Sequence, residues 1–198
     1  GLNCSLNGKI LSNNLFDEIF VQPASGDDGA AIGACLLSHK KLTGNLEPIK
    51  WHNYYLGSEF SSEEIDKVLK KFDITYTKPD DMYVKTAKEL SDKKIIGWFQ
   101  NGAEFGPRAL GNRSILTAPF PEDMKDYLNA RVKFREEFRP FAPAVLNEHT
   151  SNYFHIKQES PHMLITAYVK EEKIKEIPAV VHIDNSARVQ TVTAENNL

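Results

Sequence analysis

A chain of 198 residues with 41% hydrophobic content can bury a core the size of one medium domain, or of one domain with part of another. Charged residues make up 26% and the formal net charge is -3, so there is no global bias toward nucleic acid or an anionic membrane, and any anion site must be local. Cys4 and Cys35 form no C-x-x-C or zinc-type pairing, and no signal-like start or bilayer-length apolar run is present, so a reducing, cytoplasmic setting is the default.

The chain opens on Gly1-Leu2-Asn3 and stops at Asn196-Asn197-Leu198 just after a strand-like segment, as expected of an excised fragment. Phe16 to Val21 suits a short strand, Pro23 to Gly29 a turn, and Ala30 to Lys40 a small-residue helix with Lys40 and Lys41 at its cation-favouring end. Leu42 to Pro48 closes that unit. Ser61 with Glu64 is a capping-box pattern, and Ile65, Val68, Leu69 and Phe72 follow at i, i+3, i+4, i+7, which predicts a helix buried along one face. A strand at Ile74 to Thr77 and a helix near Asp81 to Asp92 come next, followed by a buried strand at Lys94 to Phe99 that runs into a glycine-rich loop. Pro121, with Glu122 and Asp123 in the first turn, opens a helix to about Val132. Strands are expected at Phe141 to Leu146, Met163 to Tyr168, Ala179 to Ile183 and Ala187 to Val192. Helices and strands alternate early and strands dominate late, which predicts an α/β fold with a mixed, twisted sheet and helices packed on it.

The loop after Phe99 carries Gly102, Gly106 and Gly111, which let backbone amides approach a ligand, and Arg108 and Arg113, whose planar forks suit phosphate oxygens. A surface turn with its arginines paired to carboxylates such as Glu104 is the bland reading, and two arginines in one glycine-rich loop favour a ligand over it. No Walker loop is present. In an extended stretch Lys133 and Arg135 share one side and can grip one phosphate; a helix end with cations at its C-terminus explains them equally well. Seven Lys/Arg and six Asp/Glu between Glu104 and Arg139 leave that segment almost neutral, unlike a nucleic-acid groove. Asp27 and Asp28 before a helix read first as caps, with a metal- or nucleotide-side carboxylate as the functional option. His182 reads as a hydrogen-bonded strand histidine, Arg188 as an extension of the anion site, and the six histidines and Cys4 support neither a zinc nor a cysteine hydrolase.

Together the strings Leu2-Asn3-Cys4, Pro23 through Gly33, Glu104 through Leu116, Lys133 through Leu146 and Ile177 through Val192 resemble, in order, the O-carbamoyltransferases that tail nodulation factors and antibiotics. The resemblance implies a piece of an actin/Hsp70-like ATPase-fold domain at residues 1–50 and an incomplete YrdC-like domain at residues 51–198. It implies that carbamoyl phosphate and ATP form carbamoyl adenylate, whose carbamoyl group passes to a hydroxyl of a small-molecule or saccharide acceptor. Carbamoyl-phosphate contacts carry over to Arg108, Lys133 and Arg188, with Arg135, Arg113 and Arg139 as neighbours. Asp27 matches a ligand to a divalent metal, iron or another, and Asn3 falls in the nucleotide turn. The family's other metal ligands and an S-x-N signature fall outside this sequence, so the fragment alone is expected to be inactive. No nucleic-acid or membrane partner is implied, and homo-oligomerisation is left open. The alternatives are threonylcarbamoyl transfer in tRNA modification and an anion-binding module without activity.

Overall fold

The computed structural model describes residues 1–47 and 54–195. Asn3 starts helix α1, Cys4–Ser12, by accepting the Leu6 amide on its Oδ1 at 3.0 Å, and the stripe of Asn7, Gly8 and Leu11 is buried. Helix α2, Asp27–Thr43, has both aspartates in its first turn and ends at Gly44, whose φ of 75° is the left-handed cap that glycine adopts without strain. It is longer than its small-residue stretch suggested. In α3, Ser62–Lys71, both halves of the Ser61–Glu64 capping box form. In α4, Met82–Ser91, Asp81 accepts the Val84 amide.

The local signals for α3 hold, but its burial does not. Ile65, Val68 and Phe72 are 39%, 51% and 66% exposed, and no residue of α2, α3 or α4 is buried. The periodicity marks an apolar face without supplying anything to cover it. The strands expected at 16–21 and 74–77 are irregular, and 179–183 forms a 3-10 turn at Pro178–Val180 instead, because proline at the turn start fixes φ and removes a donor. The end of the first unit at Pro48 and the domain boundary at residues 50 and 51 lie outside the described residues.

Among the described residues, the single mixed sheet expected from the sequence is divided among three small ones. Strands β1, Ile96–Phe99, and β2, Arg113–Leu116, pair antiparallel with Ile96 opposite Leu116, and β1 is only half-buried. The helix expected from Pro121 resolves into α5, Met124–Leu128, and a π-helical turn at Asn129–Lys133. Strand β3, Ala144–Leu146, leads through a short helix α6, Thr150–Tyr153, to β4, Phe154–His155. Strands β5, Thr166–Val169, and β6, Ser186–Arg188, complete an antiparallel sheet in the order β4-β5-β6. Strand β7, Gln190–Val192, pairs in parallel with β3. The predicted strand at 187–192 is therefore two: the chain leaves one sheet after Arg188 and enters the next at Gln190, with Val189 fully buried at the crossing.

Alternation along β5 and β6 sorts the faces of the three-stranded sheet. Ala167, Val169 and Ala187 join Phe154, Ile177, Val180 and Val189 in the main core. Burying a side chain the size of Phe154 or Val189 contributes about 1.5–3 kcal/mol. Thr166, opposite Arg188, and Tyr168, opposite Ser186, share the other face. Helix α1 lies on that face. Its Asn7 amide donates to the Leu164 carbonyl at 2.8 Å, and Gly8 sits so close to Thr166 that a Cβ would overlap the Thr166 carbonyl oxygen. Gly33, in α2, has nothing near its missing Cβ. In urea unfolding, Gly8→Ala is expected to lower stability by about 1–3 kcal/mol through overpacking. Gly33→Ala is expected to raise it by about 0.5–1 kcal/mol through helix propensity.

Candidate functional site

The loop between β1 and β2 is held from inside by one carboxylate. Glu104 Oε1 accepts the backbone amides of Leu110, Asn112 and Arg113 at 2.7, 2.9 and 3.1 Å. Burial alone would raise the Glu104 pKa, but these hydrogen bonds outweigh it and the carboxyl lies below its usual value. Asn112 is fully buried, and its side chain bridges the loop by donating to the Gly102 carbonyl and accepting from Gln100. Gly106 and Gly111 have φ of 124° and 112°, conformations that only glycine adopts readily. Tyr55 donates to the Leu110 carbonyl, and burial together with the Glu104 carboxylate pushes its pKa up to about 12.

The loop's amides are thus largely spent within the protein. Those of Leu110, Asn112 and Arg113 go to Glu104, that of Gly111 to Ser114, and those of Ala103 and Phe105 to the 54–58 segment. The glycines let the chain turn and pack; what the loop presents is Arg108. The guanidinium of Arg113 also turns inward, donating to the carbonyls of Gln100, Asn112, Ser58 and Asn101 at 2.5–2.9 Å and stacking 3.6 Å from the Phe99 ring centroid. It anchors the loop.

The 129–139 segment is organised by a second fully buried asparagine. Asn129 accepts Arg135 Nε on its Oδ1 at 2.7 Å and donates to the carbonyls of Glu137 and Arg139. Lys133 ends the π-helical turn, and Phe134 follows with a φ of 47°. The stretch is not extended, so Lys133 and Arg135 do not share one side of a strand; Lys133 is exposed while Arg135 folds back over Phe141, 4.7 Å from the ring centroid. Arg139 pairs with Glu136 at 2.9 Å.

Arg188 comes to the same region from β6. Burial first, then the like charges of Arg108 and Arg135, pull its pKa below the usual guanidinium value, against a raising contact from Cys4. The Nε atoms of Arg108 and Arg188 are buried without a hydrogen-bond partner, and among the described residues neither arginine forms an ion pair. Arg188 thus lies within electrostatic reach of both Arg108 and Arg135, while the Glu136 carboxylate acts on Arg135; guanidinium groups so gathered are chemically suited to an anion. Two other sequence strings converge here. A Cβ on Gly106 would meet the Pro23 carbonyl, which places the turn before α2 against the arginine loop, and Cys4 at the start of α1 reaches Arg188.

Asp27 and Asp28 are exposed in the first turn of α2, and among the described residues no three His, Cys, Asp or Glu side chains gather as a metal site. Asn3 is an exposed helix cap. His182 lies in a turn rather than a strand. Its Nδ1 is 3.2 Å from Ser186 Oγ, which donates to Asp184 at 2.7 Å, and burial chiefly lowers its pKa. Asn112 and Asn129 escaped notice in the sequence because an asparagine that will be buried carries no local signal distinguishing it from a turn asparagine.

Residues 87–198 match the family described as carbamoyltransferase C-terminus, and residues 1–36 match carbamoyltransferase N-terminus. An uncharacterised protein of Synechocystis is 41% identical over 224 residues, covering 99% of this chain and 36% of that protein. Nodulation protein NolNO of Sinorhizobium fredii is 41% identical over 201 residues, 98% of this chain and 30% of the relative. The 3'-hydroxymethylcephem-O-carbamoyltransferase of Streptomyces clavuligerus is 36% identical over 205 residues, 100% of this chain and 36% of that enzyme. The chain spans about a third of the length of these curated relatives.

Because the Glu104 pKa is depressed in the folded state, its contribution to stability is full above the unfolded carboxylate pKa of about 4.3 and is lost as pH falls through the lower folded value. Glu104→Gln is expected to cost about 1–3 kcal/mol at pH 7 and to show a shallower loss of stability below pH 4.3 than the parent chain, read by thermal melts across pH.

Proposed function

The chain belongs to the carbamoyltransferase family, and from that premise we propose that it is the carbamoyl-phosphate-binding part of an ATP-dependent O-carbamoyltransferase. In this proposal residues 51–198 form an incomplete YrdC-like domain and residues 1–50 belong to an actin-like ATPase-fold domain. The observation that carries the proposal is the cluster of Arg108, Arg135 and Arg188, with two buried Nε atoms unpartnered. Gathering like charges in a half-buried place costs energy, and a phosphate dianion offsets that cost while gaining charge-assisted hydrogen bonds.

Arg108 and Arg188 hold the phosphoryl oxygens of carbamoyl phosphate. Arg135, oriented by Asn129, adds a third guanidinium, with Lys133 and Arg139 at the margin. The first step consumes carbamoyl phosphate, one water and ATP: water cleaves carbamoyl phosphate to carbamate and phosphate, and a carbamate oxygen then attacks the α-phosphorus of ATP, forming carbamoyl adenylate and releasing pyrophosphate. The second moves the carbamoyl carbon to an acceptor hydroxyl and releases AMP. Preorganised cations aid the first step by placing two anions together and by stabilising charge on the departing phosphate. Asn3 stands at the nucleotide turn. Asp27 would supply one carboxylate toward a divalent metal, and the described residues do not build a metal site by themselves. The cephem relative is named for an O-carbamoyl transfer, which supports a hydroxyl acceptor here, and the free thiols of Cys4 and Cys35 fit a reducing cytoplasm.

Calorimetry with carbamoyl phosphate is expected to give a Kd at least tenfold weaker for Arg108→Ala and Arg188→Ala than for the parent chain. Equal heats in all three proteins would remove the proposed site. In a protein of the relatives' full length, pyrophosphate release from ATP is expected to depend on carbamoyl phosphate; binding without any such release favours an anion-binding module.

A further inference from the structure

Helix α1 carries two adjacent stripes. Cys4, Asn7 and Leu11 face inward, and Cys4 reaches toward Arg188. Ser5, Gly8, Lys9 and Ser12, spaced i, i+3, i+4, i+7, line a cavity of about 440 Å³ between the helix and the outer face of the three-stranded sheet. That volume lies within the range of small-molecule sites. Gly8 closes the helix onto Thr166 at one wall, and none of the clustered arginines borders the cavity.

Ile156 and Tyr168 line it together with three ammonium groups, Lys9, Lys157 and Lys170. Among the described residues none of these lysines has a carboxylate within ion-pair distance; Lys157 donates to Asn14 Oδ1 at 2.7 Å. Among the described residues Asp184 is the one carboxylate lining the cavity, and it is engaged by the Ser186 amide and hydroxyl at 3.1 and 2.7 Å. The cavity therefore pairs an apolar wall with a surplus of positive charge.

We propose that this cavity is a second anion site, separate from the arginine cluster, that takes a small molecule with a flat apolar body and a phosphate or carboxylate. The apolar body lies against Tyr168 on the face that α1 covers, and the anionic group sits among Lys9, Lys157 and Lys170. The lysines alone would attract any anion weakly, and the apolar wall alone any ring; the combination selects a molecule carrying both. The site makes no use of carbamoyl phosphate and stands whether or not the arginine cluster binds it.

The test is a titration of the whole chain with 1-naphthyl phosphate, 1-naphthol and inorganic phosphate. 1-Naphthyl phosphate is expected to bind at least tenfold more tightly than either part and to bind Arg108→Ala as well as the parent. Lys9→Ala/Lys170→Ala is expected to weaken it about tenfold, whereas Lys67→Ala/Lys85→Ala, on α3 and α4, leaves it unchanged. Binding lost in Arg108→Ala, equal binding of phosphate alone, unchanged binding in Lys9→Ala/Lys170→Ala, or equal weakening in both lysine pairs would each overturn the proposal. Loss of carbamoyl-phosphate binding in Arg108→Ala reports on the arginine cluster alone, so the two sites fail or stand independently.

Discussion

Three backbone amides converging on one oxygen of Glu104 set the geometry from which the arginine centre follows. A carboxylate in that position does the work that a bound anion does in many phosphate loops, and it does so permanently. The loop consequently has few amides left to offer a ligand and meets it with a guanidinium. Asn112 and the inward-facing Arg113 brace the same loop from its other side, so Arg108 projects from a turn with little freedom to move. Such rigidity matters for a charged contact, because ordering a long side chain at the moment of binding would cost part of the affinity.

The cation cluster is assembled from distant parts of the chain. Arg108 comes from a hairpin loop, Arg135 from the segment after a π-helical turn, and Arg188 from a strand, with the start of α1 beside it. Each is positioned by a different device: a templated loop, a buried asparagine, and a sheet register that sets Arg188 opposite Thr166. The result is a concentration of positive charge in a protein whose net charge is negative. Local fields of this kind do not follow from composition, since they depend on which charges the fold brings within about a Debye length of one another.

Helices α3 and α4 show the opposite case. Their caps form as the residues dictate, yet their apolar faces are exposed, with Val68, Phe72 and Val84 each more than half accessible. Helix α3 lies between the two stretches that match the carbamoyltransferase family, residues 1–36 and 87–198, and α4 runs into the second. A hydrophobic period reports that a face exists; only a packing partner decides whether it is buried.

By itself the sequence determined what local interactions determine: the Ser61–Glu64 cap, the helix starting at Asp81, the glycine-marked turn after Phe99, and the residue strings that place the chain in its family. The resemblance pointed to Arg108, Lys133 and Arg188, with Arg135 as a neighbour, and the fold sets Arg188 within electrostatic reach of Arg108 and Arg135. Tertiary structure alone decided that Arg113 faces inward, that Lys133 and Arg135 part company at Phe134, that the strand at 187–192 divides at Val189, and that Asn112 and Asn129 are the buried organisers. These outcomes depend on contacts between residues far apart in the chain. Hydrogen bonds to distant carbonyls and the competition for core space leave no mark in local spacing.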